Sequence, residues 1–163
     1  MKEVVEATSI SAYYEQDHNR LDELFANFQE WKRKDFLRAK ELFVAFKFGL
    51  QRHIVWEEEV LFPLFEEATG LFNEGPTQVM RLEHRMIADK LELIHKKVQV
   101  KDPNSDVEER ELLSILSSHN DKEEKILYPA IDQIAEQSGA TNDVFKKMRE
   151  IPEERYKTCC EHA

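Results

Sequence analysis

The sequence predicts an all-α fold, an antiparallel up-down four-helix bundle closed by a short C-terminal helix. Three observations point there. Only four glycines and five prolines punctuate 163 residues, while 34% are charged, a composition of amphipathic helices rather than of turn-rich sheets. Four long segments repeat apolar residues with a period near 3.6. The breaks between these segments are short, as antiparallel neighbours require. The length suits one domain over 1–163, with the bundle over about 10–137 and a helix and tail over 140–163.

The first segment runs over about 10–32, with Ser9 or Ser11 as N-cap, and turns Tyr14, His18, Leu21, Phe25 and Phe28 inward. The second runs over about 35–67, capped by Asp35, and presents Leu42, Phe46, Leu50, His53, Glu57, Leu61 and Leu64. The third, about 77–100, lies between Gly75-Pro76-Thr77 and Asp102-Pro103-Asn104. Its inward stripe is Met80, His84, Ile87, Leu91, Ile94 and Val98. The fourth, about 106–137, starts near Ser105 or Asp106 and ends near Gly139, with Leu112, Leu116, His119, Glu123, Ile126 and Ala130 inward. A fifth helix over about 142–150 precedes Pro152 and a polar tail. Pro63 and Pro129 interrupt carbonyl pairing in the preceding turn and are expected to kink or end the second and fourth helices.

Every stripe is apolar except near one point, and a histidine stands at each of those points. The chain also repeats itself. His53-x3-Glu57-Glu58-x2-Leu61-Phe62-Pro63 recurs 66 residues later as His119-x3-Glu123-Glu124-x2-Leu127-Tyr128-Pro129, and His18 and His84 share the offset. The chain therefore reads as two helical hairpins, each with one histidine on its first helix and His-x3-Glu on its second. Across an antiparallel turn, residues equally far from the turn lie at one level. The midpoints of successive histidines, 35.5, 68.5 and 101.5, all fall at interhelical breaks, so the four imidazoles meet in one layer.

In His-x3-Glu both side chains lie on one helix face, a turn apart. Four imidazoles and two carboxylates converging in a core would cost about 2–7 kcal/mol for each uncompensated polar group, and more for a charged one. Two divalent cations offset that cost if the carboxylates bridge them and two imidazoles bind each. The mixed nitrogen and oxygen set suits iron, manganese or zinc rather than calcium or magnesium. Six protein ligands on two ions leave open positions for a small molecule or a solvent-derived bridge.

The predicted ligands, His18, His53, Glu57, His84, His119 and Glu123, carry a resemblance to the hemerythrin-like, or HHE cation-binding, family over about residues 10–137. The resemblance implies a hemerythrin-like bundle around a non-haem di-iron centre, with Glu57 and Glu123 bridging. His18 and His53 would serve one iron, and His84 and His119 the other. The family's oxygen carriers have a further histidine one turn after the third-segment ligand, where this chain has Ala88. The four-His, two-Glu set looks more like bacterial di-iron proteins linked to iron–sulfur cluster repair and nitric oxide stress, which usually carry an additional N-terminal cysteine-bearing domain. The resemblance further implies binding of O2 or NO in sensing, storage or stress. Iron donation to iron–sulfur proteins and reduction of NO or peroxide are the other readings. A homodimer stays open, as does the question of catalysis, since no nucleophile–base pair or phosphate loop can be read.

Other polar groups carry less. Glu58, Glu59 and Glu124 turn 100° or more from the stripe and read as solvated faces. Glu83 could contact the site, line an entry or form a salt bridge. Tyr14 reads as core, and Trp56 and Phe62 as seals. His95 lies about 16 Å along the axis from His84, too far to join it. Cys159-Cys160-Glu-His162 invites a metal or redox role but reads as a mobile tail, because adjacent cysteines close a disulfide only with strain. The net charge of −10 argues against nucleic acid and anionic membranes as partners. No apolar run approaches the ~18 residues of a membrane span, and no secretory signal is read, so a cytoplasmic location is expected.

Overall fold

The computed structural model describes residues 9–158; Cys159, Cys160 and His162 lie outside the described residues. Four helical rods form the bundle. The first is α1 (Ile10–Trp31). The second joins α2 (Phe36–Trp56), a π-helical turn π1 (Glu57–Leu61) and α3 (Phe62–Thr69). The third is α4 (Pro76–Gln99). The fourth joins α5 (Asp106–Lys122), a second π turn π2 (Glu123–Leu127) and α6 (Tyr128–Ser138). Two short helices come after it, α7 (Thr141–Glu150) and α8 (Glu153–Thr158). No strand occurs among the described residues.

The ends form where side chains or glycines take up the free backbone groups. Ser9 caps α1 by accepting from the Ala12 amide at 3.0 Å, and Asp35 caps α2 through Arg38 at 3.3 Å. The Asp132 carboxylate accepts two more amides of α1, from Ile10 and Ser11, which ties that helix start to α6. The second and fourth rods stop at Gly70 (φ 75°) and Gly139 (φ 67°), in left-handed geometry that glycine adopts without a Cβ clash. Direction is fixed by ring contacts between α1 and the second rod. Tyr14 meets Trp56, His18 meets His53, Phe25 meets Phe46 and Phe28 meets Phe43, climbing one helix while descending the other.

The prolines do not end their helices. Each rod instead widens by one residue: the Phe62 amide donates to the Glu57 carbonyl, and the Tyr128 amide to the Glu123 carbonyl. Five-residue pairing accommodates the missing N–H of Pro63 and Pro129 one position later without a break. The extra residue advances the inward stripe. In the fourth rod Ile126 is 64% exposed instead of buried, while Leu127, Tyr128, Ile131 and Ala135 face the core. In the second rod Leu61 is buried as expected, but Phe62 and Phe65 join it and Leu64 is half-buried.

The apolar core is split in two. One cluster centres on Phe25, Phe28, Phe43, Phe46, Ile94 and Leu112. The other gathers Tyr14, Trp56, Phe62 and Tyr128 under α7 and α8. The expected polar tail after Pro152 is here a docked helix: Tyr156 of α8 is 2% exposed, and its hydroxyl accepts from Trp56 Nε1 at 3.0 Å. Between the clusters lies one polar layer. No described helix is long and apolar enough to cross a membrane.

Candidate metal centre

All six predicted residues reach that layer, each no more than 3% exposed. α1 supplies His18 and α4 supplies His84. His53 and His119 stand one turn before the π turns, which Glu57 and Glu123 open. The donor atoms form two overlapping groups: His18, His53, Glu57 and Glu123 in one, and Glu57, His84, His119 and Glu123 in the other. Within each group, one donor atom from every residue lies within 4.8 Å of the rest. Both glutamates belong to both groups. The imidazole Nε2 atoms face them, His84 at 3.1 Å and His53 at 3.4 Å from Glu57, His18 and His119 at 3.2 Å from Glu123.

The outer nitrogens are as ordered as the inner ones. Nδ1 of His18 meets Glu124 at 2.7 Å, and Nδ1 of His84 meets Glu58 at 2.6 Å. Nδ1 of His53 meets Asp17 at 2.8 Å, and Nδ1 of His119 meets Glu83 at 2.9 Å. These four carboxylates obey the 66-residue offset too, Asp17 with Glu83 and Glu58 with Glu124. Glu58 and Glu124 are therefore not the solvated faces the sequence suggests. Each is about a third exposed yet sends one oxygen across to a histidine of the adjacent helix. Their angle on their own helix did point away from the stripe; what it could not show was the neighbouring helix waiting there. Glu59 alone of the three stays outside, pairing with Arg155. Glu83 contacts His119 and also pairs with Lys122. Asp17 escaped the sequence reading, although its position one repeat before Glu83 was the available signal.

With each Nδ1–H donated outward, each Nε2 lone pair points inward at a carboxylate oxygen. Acceptor then faces acceptor, and Glu123 Oε2 finds no hydrogen-bond donor. Positive charge must fill the layer, either as protons or as cations. Without a cation, His53, His84 and His119 hold protons more tightly than free imidazoles. Burial pushes His53 down, but Glu57 and Asp17 outweigh it and lift its pKa to about 10. His84 is likewise lifted to about 10, against burial, by Glu57 and Glu58. His119 rises against burial through Glu123. Burial raises Asp17, yet His53 and Arg20 bring it down to about 2. Glu57 is held well below its ordinary value, the charge on His53 overcoming burial. Two inner and four outer carboxylates around four imidazoles favour cations strongly, and imidazole with carboxylate is a donor set for divalent transition metals. The cluster is compatible with metal binding, and its residues fit the group that the sequence suggests.

Tyr128 entered the sequence reading only as part of the repeated motif, not as a site residue. It is fully buried, and its hydroxyl donates to Glu57 Oε2 at 2.5 Å. Burial and the charges of Glu123 and Glu57 hold that hydroxyl well above its ordinary pKa. The π turn brings it there, since regular α-helical pairing had favoured Ile126. Tyr14 packs as expected, edge-on to His53 with ring centroids 5.2 Å apart and its hydroxyl 3.3 Å from Met148 Sδ. Phe62 stacks on His84 at 5.8 Å, Trp56 is fully buried, and His95 stacks on Phe43 away from the layer.

A cavity of about 10 Å³ adjoins the four histidines and Glu57, walled otherwise by Leu21, Phe46, Leu50, Ile54, Ile87 and Leu116. That is room for one water-sized molecule. Asp22, Leu116 and Asn120 line both this cavity and an open groove between α1 and α5, which places the cavity next to solvent.

No curated protein and no solved structure matches the chain. A family model does: the hemerythrin HHE cation binding domain, over residues 9–131. That span starts at the cap of α1 and runs past π2 into the first turn of α6, so it reaches all four rods and includes every residue of the polar layer. The chain belongs to the hemerythrin HHE cation binding domain family.

Proposed function

We propose that the chain is a non-haem di-iron protein that binds one small ligand, O2 or NO, in a sensing, storage or stress role. The observation that carries this reading is the pair of overlapping donor groups that share both glutamates. Two ions bridged by Glu57 and Glu123, with His18 and His53 on one and His84 and His119 on the other, use every inward donor atom of the six. Bound iron would supply the redox-active, ligand-binding chemistry. The chain's own part is to present lone pairs, fix the imidazoles through outer carboxylates and limit access. The small cavity beside the imidazoles, about 10 Å³, supports a ligand of very few atoms over a metabolite. Manganese and zinc suit the same donors, so the test begins with metal identity.

Protein produced with iron should contain about two irons per chain and show ligand-to-metal charge-transfer absorption. Glu57→Ala and Glu123→Ala should each lose the paired loading. Two metals retained per chain in both variants would rule out the bridging roles, and negligible metal after anaerobic purification would overturn the whole reading. A stable O2 or NO adduct supports a carrier or sensor, whereas sustained consumption of NO or peroxide assigns turnover to the same centre.

A further inference from the structure

The two halves of the centre are built from one repeat, but they are not chemically equal. Tyr128 and Phe62 hold equivalent positions, each the first residue after its π turn and each fully buried. Phe62 lays its ring against His84 at an interplanar angle of 14° and brings no polar atom. The Tyr128 oxygen lies 2.5 Å from Glu57 Oε2, 3.0 Å from Glu123 Oε1, 3.1 Å from His53 Nε2 and 3.2 Å from His18 Nε2.

Those four residues are the members of one of the two donor groups. With both imidazoles deprotonated, as cation binding requires, a single phenolic proton would satisfy only one of four acceptors. Ligands cis to one another on an ion with bonds of about 2.1 Å stand about 3 Å apart, by simple right-angle geometry. The phenol oxygen is near that spacing from Glu123, His53 and His18, and closer, at 2.5 Å, to Glu57.

We propose that Tyr128 is a direct ligand of the ion held by His18 and His53, which gives that ion five protein ligands against four on the ion held by His84 and His119, so that the second ion keeps the more open, exchangeable position. The inference rests on the di-iron reading and makes its two sites inequivalent. On binding, the phenolic O–H bond breaks, its proton passes to solvent and an oxygen–metal bond forms, with no change in oxidation state. Phe62, placed identically in the other half, offers nothing to that second ion.

Ferric loading gives a specific readout, because a phenolate bound to iron(III) absorbs in the visible and yields tyrosinate ring modes in resonance Raman spectra. The wild-type protein loaded with ferric iron should show both, with about two irons per chain. Tyr128→Phe should keep the helical signal and most of the iron while losing the tyrosinate modes. Tyr14→Phe, whose hydroxyl faces Met148, should retain them, which decides the case even if Tyr128→Phe does not fold. Two irons per chain without tyrosinate modes in the wild type would overturn the ligand role and leave the di-iron reading standing. The same modes persisting in Tyr128→Phe, or vanishing in Tyr14→Phe, would overturn it as well. Protein that takes up no iron would overturn both readings together.

Discussion

At the scale of residues, the centre is a set of histidines held at both ends. An outer carboxylate sets each tautomer, and removing such a partner typically weakens metal binding about 10- to 100-fold. Glu58→Ala and Glu124→Ala are good probes because these side chains are a third exposed, so their loss leaves no sealed void. Each should weaken metal affinity by about that factor in competition with a chelator; unchanged affinity would mean that the outer contacts do not tune the site. The metal-free protein should also carry a distinctive pH profile. His53 and His84 stand at about 10 in the fold against an ordinary 6.5. The stability they contribute is complete below 6.5 and is lost as the pH rises from there through about 10. Asp17, lowered from 3.8 to about 2, acts at the other end, its contribution present above 3.8 and lost as the pH falls through 2. The melting temperature of the metal-free protein should thus fall across the upper window, while zinc-loaded protein, whose imidazoles are already deprotonated, stays nearly level. Parallel profiles for the two forms would count against proton and metal competing for these nitrogens.

Among the elements, the π turns matter most, because each adds one residue just after a central glutamate and so decides which side chain faces inward next. Regular 3.6-residue periodicity cannot register that addition, which is why Ile126 was expected where Tyr128 stands. The prolines were visible and correctly marked local disruption, but a widened turn and a broken helix share the same sequence signal. The far end of the bundle is tied by ions instead. Lys32, 3% exposed, contacts both Asp106 and Glu109 at 2.5 Å, joining the end of α1 to the start of α5. Glu109→Ala leaves that ammonium poorly compensated and should cost about 3 kcal/mol or more in urea denaturation, whereas Lys32→Met with Glu109→Leu should recover most of the loss. If the single and double variants are equally destabilised, packing rather than charge holds this end. The other end depends on α8. Tyr156→Ala removes a buried ring and strands Trp56 Nε1, so a loss of about 3 kcal/mol and a red-shifted Trp56 emission are expected.

For the whole molecule, the polar layer divides the apolar core, and all four rods contribute to it. A cation there links every rod at once and binds the folded chain only. At a thousandfold excess over its dissociation constant, such a ligand stabilises by about 4 kcal/mol. Metal loading should therefore raise the melting temperature by several degrees and a chelator should reverse it; equal temperatures would exclude a metal bridging the bundle. Much of this design is legible in one dimension. The positions of His18, His53, His84 and His119 about three interhelical breaks place them at one height, and the buried layer is where that symmetry puts them.

What the sequence determined by itself was therefore the bundle, the common level of the four histidines and the two His-x3-Glu pairs, because helical period and distance from a turn are linear properties of a chain. The tertiary structure decided the rest. Asp17, Glu58, Glu83 and Glu124 become partners of histidines only through helices distant in sequence. Tyr128 reaches the centre because a five-residue turn, in which its own amide donates to the Glu123 carbonyl, rotates it inward. Contacts between helices and the choice between four- and five-residue pairing depend on what packs on the far side. That is physical information the local pattern of apolar residues does not hold.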